Sequence, residues 1–254
     1  LIPYFEIPAW RIGPFQIHVF GFLVATALAV SYFSLRRRLR QLGEDTARVP
    51  GMIFWILAGS AAGALLLKFI TTRGADPAEL LRLTGGGAAY GGLVAGLAGG
   101  WLYLRVSGVR GARLVLYLDA LAFVLPRGWL FLRLGCALVH DHPGVRTDSW
   151  LGVQYPGGTR FDLGLLELLF TVACLAILSL LDIAQRPPGF YSGFLPFAYG
   201  VCRLTLEPLR EDPVRYLGWT VNQYFSSVAV VVGLAVLAVS VRRAPTKGLP
   251  LPGR

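Results

Sequence analysis

The segment "LVLYLDALAFVLPRGWLFLRLGCALVHDHPG", Leu114 to Gly144, decides the fold. From Leu114 to Leu132 it is a nearly continuous apolar run. Arg133 then closes the run, and two histidines flank an aspartate in His140-Asp141-His142 before Pro143 and Gly144. A run of about 20 apolar residues crosses a bilayer as a helix. The polar end reads as its exit, made of ordinary loop residues, or as a site at the membrane edge.

The rest of the chain repeats the pattern. Its 254 residues are 55% hydrophobic and only 15% charged, with a mean hydropathy of +0.59. A soluble domain of this size carries more charge, and the runs do not alternate as barrel strands would. The expected fold is all-α: a polytopic membrane protein of seven helices. The spans are Pro14–Leu35, Met52–Thr72, Ala88–Val106, Leu114–Leu132, Leu163–Ile183, Phe190–Leu206 and Val221–Val241. Residues 1–243 read as one transmembrane domain and 244–254 as a disordered tail. The first run is too long for a signal-peptide core and reads as a retained helix.

The net charge of +10 belongs to topology and anionic lipid, not to nucleic acid. Arg36, Arg37, Arg38 and Arg40 follow span 1; Arg105, Arg110 and Arg113 follow span 3; Arg186 follows span 5; Arg242, Arg243 and Lys247 follow span 7. These all fall on one side, which the positive-inside rule makes cytoplasmic, with the N-terminus outside. Cys174 and Cys202 lie inside apolar runs and read as small buried hydrophobes. No cysteine framework signals disulfides, and His-x-His is a weak metal signal, so no metal site is expected.

Ionisable groups at membrane depth are functional candidates. They are Asp119, Arg133, Glu167, Arg203 and Glu207. Arg203 and Glu207 stand four apart and share a helix face. Two guanidiniums near the outer face suit a phosphate held bidentately, and a lipid phosphate is the one at hand. His140, Asp141 and His142 offer general-base chemistry. His18, near the outer end of span 1, reads first as an interfacial hydrogen-bonder.

The order of motifs resembles that of the prolipoprotein diacylglyceryl transferases, bacterial seven-span enzymes. "IGPFQIHVFGFLVATAL" is similar to the family's first-span pattern, and "GGGAAYGGLVAG" to its Gly-rich segment, with Tyr90, Gly91 and Gly92. "LRLGCALVHDHPG" resembles the family signature at Arg133, Gly135 and Gly144, with Asp141 at the position of a glutamate. "RFDLGLLELL" keeps Arg160 and Glu167. "FAYGVCRLTLEPLRED" keeps Tyr199, Gly200, Arg203, Glu207 and Arg210, and "NQYFS" keeps Gln223 and Ser226. The chain departs where Tyr90 replaces a histidine, Phe20 a tyrosine, Ala61 an arginine, and Cys136 and Val139 two asparagines.

The resemblance implies transfer of a diacylglyceryl group from phosphatidylglycerol to the cysteine thiol of a lipobox-containing preprolipoprotein, in the bacterial inner membrane and toward its outer leaflet. It implies no metal or organic cofactor. Arg133, Arg203, Glu207, Asp141, His140 and His142 would carry the chemistry. Tyr199, Arg210, His18, Tyr90, Gly91, Gly92, Asp119, Glu167 and Gln223 would hold lipid. The departures leave two further readings open: a paralogue with another acceptor or headgroup, and a lipid-binding protein without catalysis.

Overall fold

The computed structural model describes residues 1–5, 7, 10–12, 15–71, 86–184, 186–211 and 215–243. The tail at 244–254 and the first-span residue Pro14 lie outside them. Among the described residues there are seven long helices: α1 (Val19–Gln41), α2 (Val49–Thr71), α3 (Gly86–Val106), α4 (Gly111–Val139), α5 (Leu163–Leu181), α6 (Phe190–Leu206) and α7 (Val221–Arg242). Five of them are long and apolar enough to cross a membrane. The chain is a multi-pass helical membrane protein.

Small residues set the helix pairing. A Cβ added at Gly59 would lie 2.5 Å from the carbonyl oxygen of Ala95, and one at Gly99 2.5 Å from that of Trp55. Antiparallel α2 and α3 are therefore packed backbone to backbone, as small residues permit in lipid. The same holds for α6 and α7, where Gly193 faces Leu237 and Gly200 faces Ser226. α1 packs along α4, which also touches α5 and α6.

The two ends of the bundle differ. At the basic end Leu35, Leu39, Val49, Met52, Leu104 and Tyr117 form a fully buried core. Arg38 grips Asp182 through two nitrogens, at 2.8 and 2.6 Å, and Tyr191 donates to the same carboxylate at 2.7 Å. The other end opens into a polar cap. There the mostly helical fold carries short strands that the sequence reading did not include, three of them between residues 143 and 162. β4 (Pro143–Arg146), β5 (Val153–Tyr155) and β6 (Gly158–Asp162) join β1 (Ile2–Pro3) in the order β1-β5-β6-β4, with β1 parallel to β5. Two hairpins complete the set: β2 (Trp10–Ile12) with β3 (Phe15–Ile17), and β7 (Arg215–Tyr216) with β8 (Trp219–Thr220). Leu217 and Gly218, at φ 51 and 86, turn the second hairpin in the left-handed geometry that two-residue loops require.

A correction concerns span 4. Arg133 does not close it: α4 runs on to Val139. Leu134, Cys136, Ala137 and Leu138 sustain the helix, and one arginine is a good helix former that breaks nothing. The helix ends only at His140, which adopts φ 52.

Candidate active site

The far end of α4 presents Trp129, Arg133 and Cys136 on one face, since residues four and seven apart stack along a helix. Below them lies an apolar cavity of about 440 Å³, whose wall includes Leu97 and Trp101 of α3, Leu121 and Trp129 of α4, Phe170 of α5 and Tyr199 of α6. Trp129 and Tyr199 meet edge to face at 5.6 Å, and the Arg133 guanidinium lies 5.0 Å above the Trp129 ring.

Over this cavity stands a polar cluster to which five helices contribute, α3 to α7. Glu167, one turn into α5 and 1% exposed, lies between two arginines. One carboxylate oxygen is 2.7 Å from Arg133, and the other accepts a hydrogen bond from Arg203 of α6. Arg203 also lies 3.7 Å from Glu207. Glu207 is 3% exposed and accepts from Thr220 at 2.6 Å and from Asn222 of α7 at 2.9 Å. Asn222 in turn accepts from Tyr90 of α3, whose ring stacks on Phe225 at 4.3 Å. Two arginines and two glutamates balance in charge. Among the described residues, each arginine still has a buried Nε without a hydrogen-bond partner, and a buried donor left unpaired costs about 1–3 kcal/mol. These donors have no acceptor among the described residues and are suited to an anionic oxygen.

Arg133, Arg203, Glu167, Glu207, Tyr199 and Tyr90 thus come together, and Glu167 is their hub. Arg210 joins at the rim. Its backbone forms a β-bridge with Gly144, Arg160 bonds Glu211 at 2.5 Å beside it, and no carboxylate pairs with it among the described residues. The ion pair holds Glu211 below the usual carboxylate range. Asn222 and Thr220 were not singled out from sequence, although a polar pair opening an apolar span was a usable signal.

Other candidates are placed elsewhere. Asp119 accepts from the backbone of Ser192 at 2.7 Å and so caps the first turn of α6, roughly 20 Å down α4 from Arg133. Gly91 and Gly92 pack against the backbone of Gly63 and Ser60. Gln223 closes a capping box with Thr220 at the start of α7. His18 precedes α1 and lines an outer cavity of about 690 Å³ together with Tyr4, Phe20, Leu138 and Asp141.

The three candidate bases separate. His140 is buried: its Nδ1 is 2.6 Å from Asp162, which also accepts from Tyr155 at 2.9 Å and from the backbone of Leu165 at 3.0 Å. His140 therefore pins the turn to the cap. Asp141 and His142 stay half exposed, 3.2 Å apart. Partial burial raises the Asp141 carboxyl above its ordinary range.

A multi-pass protein with buried, partly unsatisfied arginines above an apolar cavity defines the class: a membrane protein that handles an anionic lipid. Its family follows from the sequence. The chain belongs to the prolipoprotein diacylglyceryl transferase family, whose pattern matches residues 8–239. It is 27% identical to a phosphatidylglycerol–prolipoprotein diacylglyceryl transferase of Chromohalobacter salexigens, over 93% of this chain and 92% of that one. The protein of the same name from Hydrogenovibrio crunogenus is 28% identical, over 94% and 96%, and that of Nitratidesulfovibrio vulgaris 26%, over 92% and 94%.

Proposed function

We propose that this protein transfers the diacylglyceryl group of phosphatidylglycerol to the cysteine thiol of a lipobox-containing preprolipoprotein. The observation that carries the reading is the pair of arginines sharing Glu167 at the mouth of the apolar cavity. The acyl chains occupy the cavity, and the phosphate takes the free donors of Arg133 and Arg203, with Arg210 adding the positive charge that the balanced cluster lacks. Tyr199 stands beside the glycerol at the cavity wall.

The acceptor enters by the outer cavity, past His18 and Asp141. Its sulfur attacks the glycerol carbon bonded to the phosphate oxygen. A C–S bond forms, the C–O bond breaks, and the electron pair leaves with glycerol phosphate. The arginines stabilise the charge that grows on the departing oxygen, the kind of interaction whose single loss costs about 10²–10³ in rate. The thiol proton leaves to water past Asp141 and His142, the half-exposed polar groups beyond Arg133.

In this reading all seven helices span the bacterial inner membrane as one domain over residues 1–243, with 244–254 as a cytoplasmic tail. Arg36, Arg37, Arg38 and Arg40 at the end of α1 put the basic end in the cytoplasm. The N-terminus, the cap and the site then face the outer leaflet. The test is turnover by purified protein on phosphatidylglycerol micelles with a lipobox peptide. Thioether-linked diacylglyceryl peptide is expected, and it is lost in Arg133→Ala and Arg203→Ala. Phosphatidylglycerol bound without product would point instead to another acceptor or to lipid binding alone.

A further inference from the structure

Among the described residues, both carboxylates of the charged cluster are engaged by arginines and Tyr90 donates to Asn222. The nearby imidazole of His140 holds Asp162 through Nδ1 and keeps a buried Nε2 without a partner among the described residues. One turn above Arg133, however, a different set of side chains converges. Cys136 Sγ, a carboxylate oxygen of Asp141 and a ring nitrogen of His142 all lie within 4.8 Å of one another.

We propose that Cys136, Asp141 and His142 form a binding site for a thiophilic divalent cation, zinc by its ligand chemistry, whose open position takes the acceptor's thiol. Thiolate, imidazole and carboxylate are the donor types zinc selects. Three protein ligands with a vacant fourth position is the catalytic pattern; structural zinc sites are closed by four. Ligand atoms around tetrahedral zinc are about 3.5 Å apart, from bond lengths of roughly 2.0–2.3 Å. Asp141 and His142 are already 3.2 Å apart. The remaining closure, about 1 Å, falls on half-exposed side chains of a turn.

The local structure supports the site in three ways. The left-handed backbone of His140 folds Asp141 and His142 back over the last turn of α4, and the His140–Asp162 bond at 2.6 Å fixes that turn. Cys136 is buried while the side chains of Asp141 and His142 are 39% and 45% exposed. A soft ligand thus forms the floor, and the rim is open to ions from outside. Charge also balances: a thiolate and a carboxylate neutralise the cation, and Arg133, 4.0 Å from Cys136 Sγ, is already paired with Glu167.

The role assigned to the site rests on the transferase reading; the site itself does not. A thiol ligated to zinc is deprotonated outright, its proton going to water, whereas a free cysteine has a pKa near about 8.5. The sulfur would then stand one helical turn, about 5 Å along the axis, from the arginine that holds the phosphate.

The experiment uses untagged full-length protein in detergent, equilibrated with zinc and then freed of excess, with metal counted by mass spectrometry. One zinc per chain is expected. Cobalt in its place is expected to give the charge-transfer band of a thiolate ligand. Both are lost in Cys136→Ser. In His142→Ala, which changes an exposed side chain and leaves the fold intact, affinity falls by at least about tenfold. Cys174→Ser keeps the metal. No zinc above background, or equal zinc in Cys136→Ser and His142→Ala, overturns the proposal. Thioether formation that stops on chelation and returns with zinc supports the assigned role. Formation indifferent to chelation removes that role and leaves the transferase reading standing. One zinc per chain without any transfer supports the site and defeats the transferase reading.

Discussion

Arg133 of α4 and Glu167 of α5 form an ion pair of 2.7 Å with their side chains only 15% and 2% exposed. The second oxygen of the same carboxylate holds Arg203. Glu167 therefore fixes the distance between the two guanidiniums, and its charge permits both to be buried. Removing one partner of a buried pair costs about 3–5 kcal/mol, because the other charge stays behind unpaired. Glu167→Gln is expected to lower the unfolding temperature and to abolish turnover. An unfolding temperature equal to wild type would show that the arginines do not depend on this carboxylate.

Asp119 gives the contrasting case. It caps α6 at the opposite end of α4, and loss of such a cap costs about 0.5–2 kcal/mol. Asp119→Ala is expected to reduce thermal stability and to leave the KM for phosphatidylglycerol unchanged. A large rise in KM with unchanged stability would return Asp119 to the lipid site.

The cavity wall sets the room for acyl chains. Ala122 lines it between Leu121 and Leu125, so Ala122→Trp fills part of the volume. The expected result is a raised KM for long-chain phosphatidylglycerol and a smaller effect on a short-chain analogue, the signature of lost binding common to ground and transition states. Equal kinetics on both lipids would place the chains elsewhere.

His140 ties the end of α4 to the cap through Asp162, which is fully buried. In His140→Ala, Asp162 keeps Tyr155 and the α5 backbone but loses its closest partner. Loss of a hydrogen bond to a charged group costs about 1.5–3 kcal/mol. The variant is expected to unfold at lower temperature, and limited proteolysis is expected to cut first within residues 143–162. Unchanged proteolysis would mean that the cap is held by its strands alone.

The helices were legible because hydropathy reports contact with lipid: a long helix lies on each of the seven apolar runs, although the first run, Pro14–Leu35, opens in strand β3 and enters α1 only at Val19. Phe190–Leu206 was read to the residue, since Gly189 and Glu207 bound it. The ends of α1 and α4 were misread for one reason. Arg36 and Arg133 were taken as exits, but arginine is a good helix former, so a helix outlasts its apolar run. The strands at 143–162 escaped notice because each is at most five residues long and lies among charges. In the site, Arg133, Arg203, Glu207 and Tyr199 were recognisable by type and depth. That Glu167 joins both arginines was not, because the relationship spans three helices and leaves no local pattern. His140 and His142 looked equivalent in sequence, and only the left-handed turn between helix and cap buries one and exposes the other.

The most direct measurement quantifies both products of one reaction. Protein, phosphatidylglycerol and a lipobox peptide are incubated together, and thioether-linked diacylglyceryl peptide and glycerol phosphate are counted by mass spectrometry. Equal amounts of the two, absent in Arg133→Ala and Arg203→Ala, are what the account predicts. Neither product, or glycerol phosphate released without lipidated peptide, would contradict transfer to a thiol.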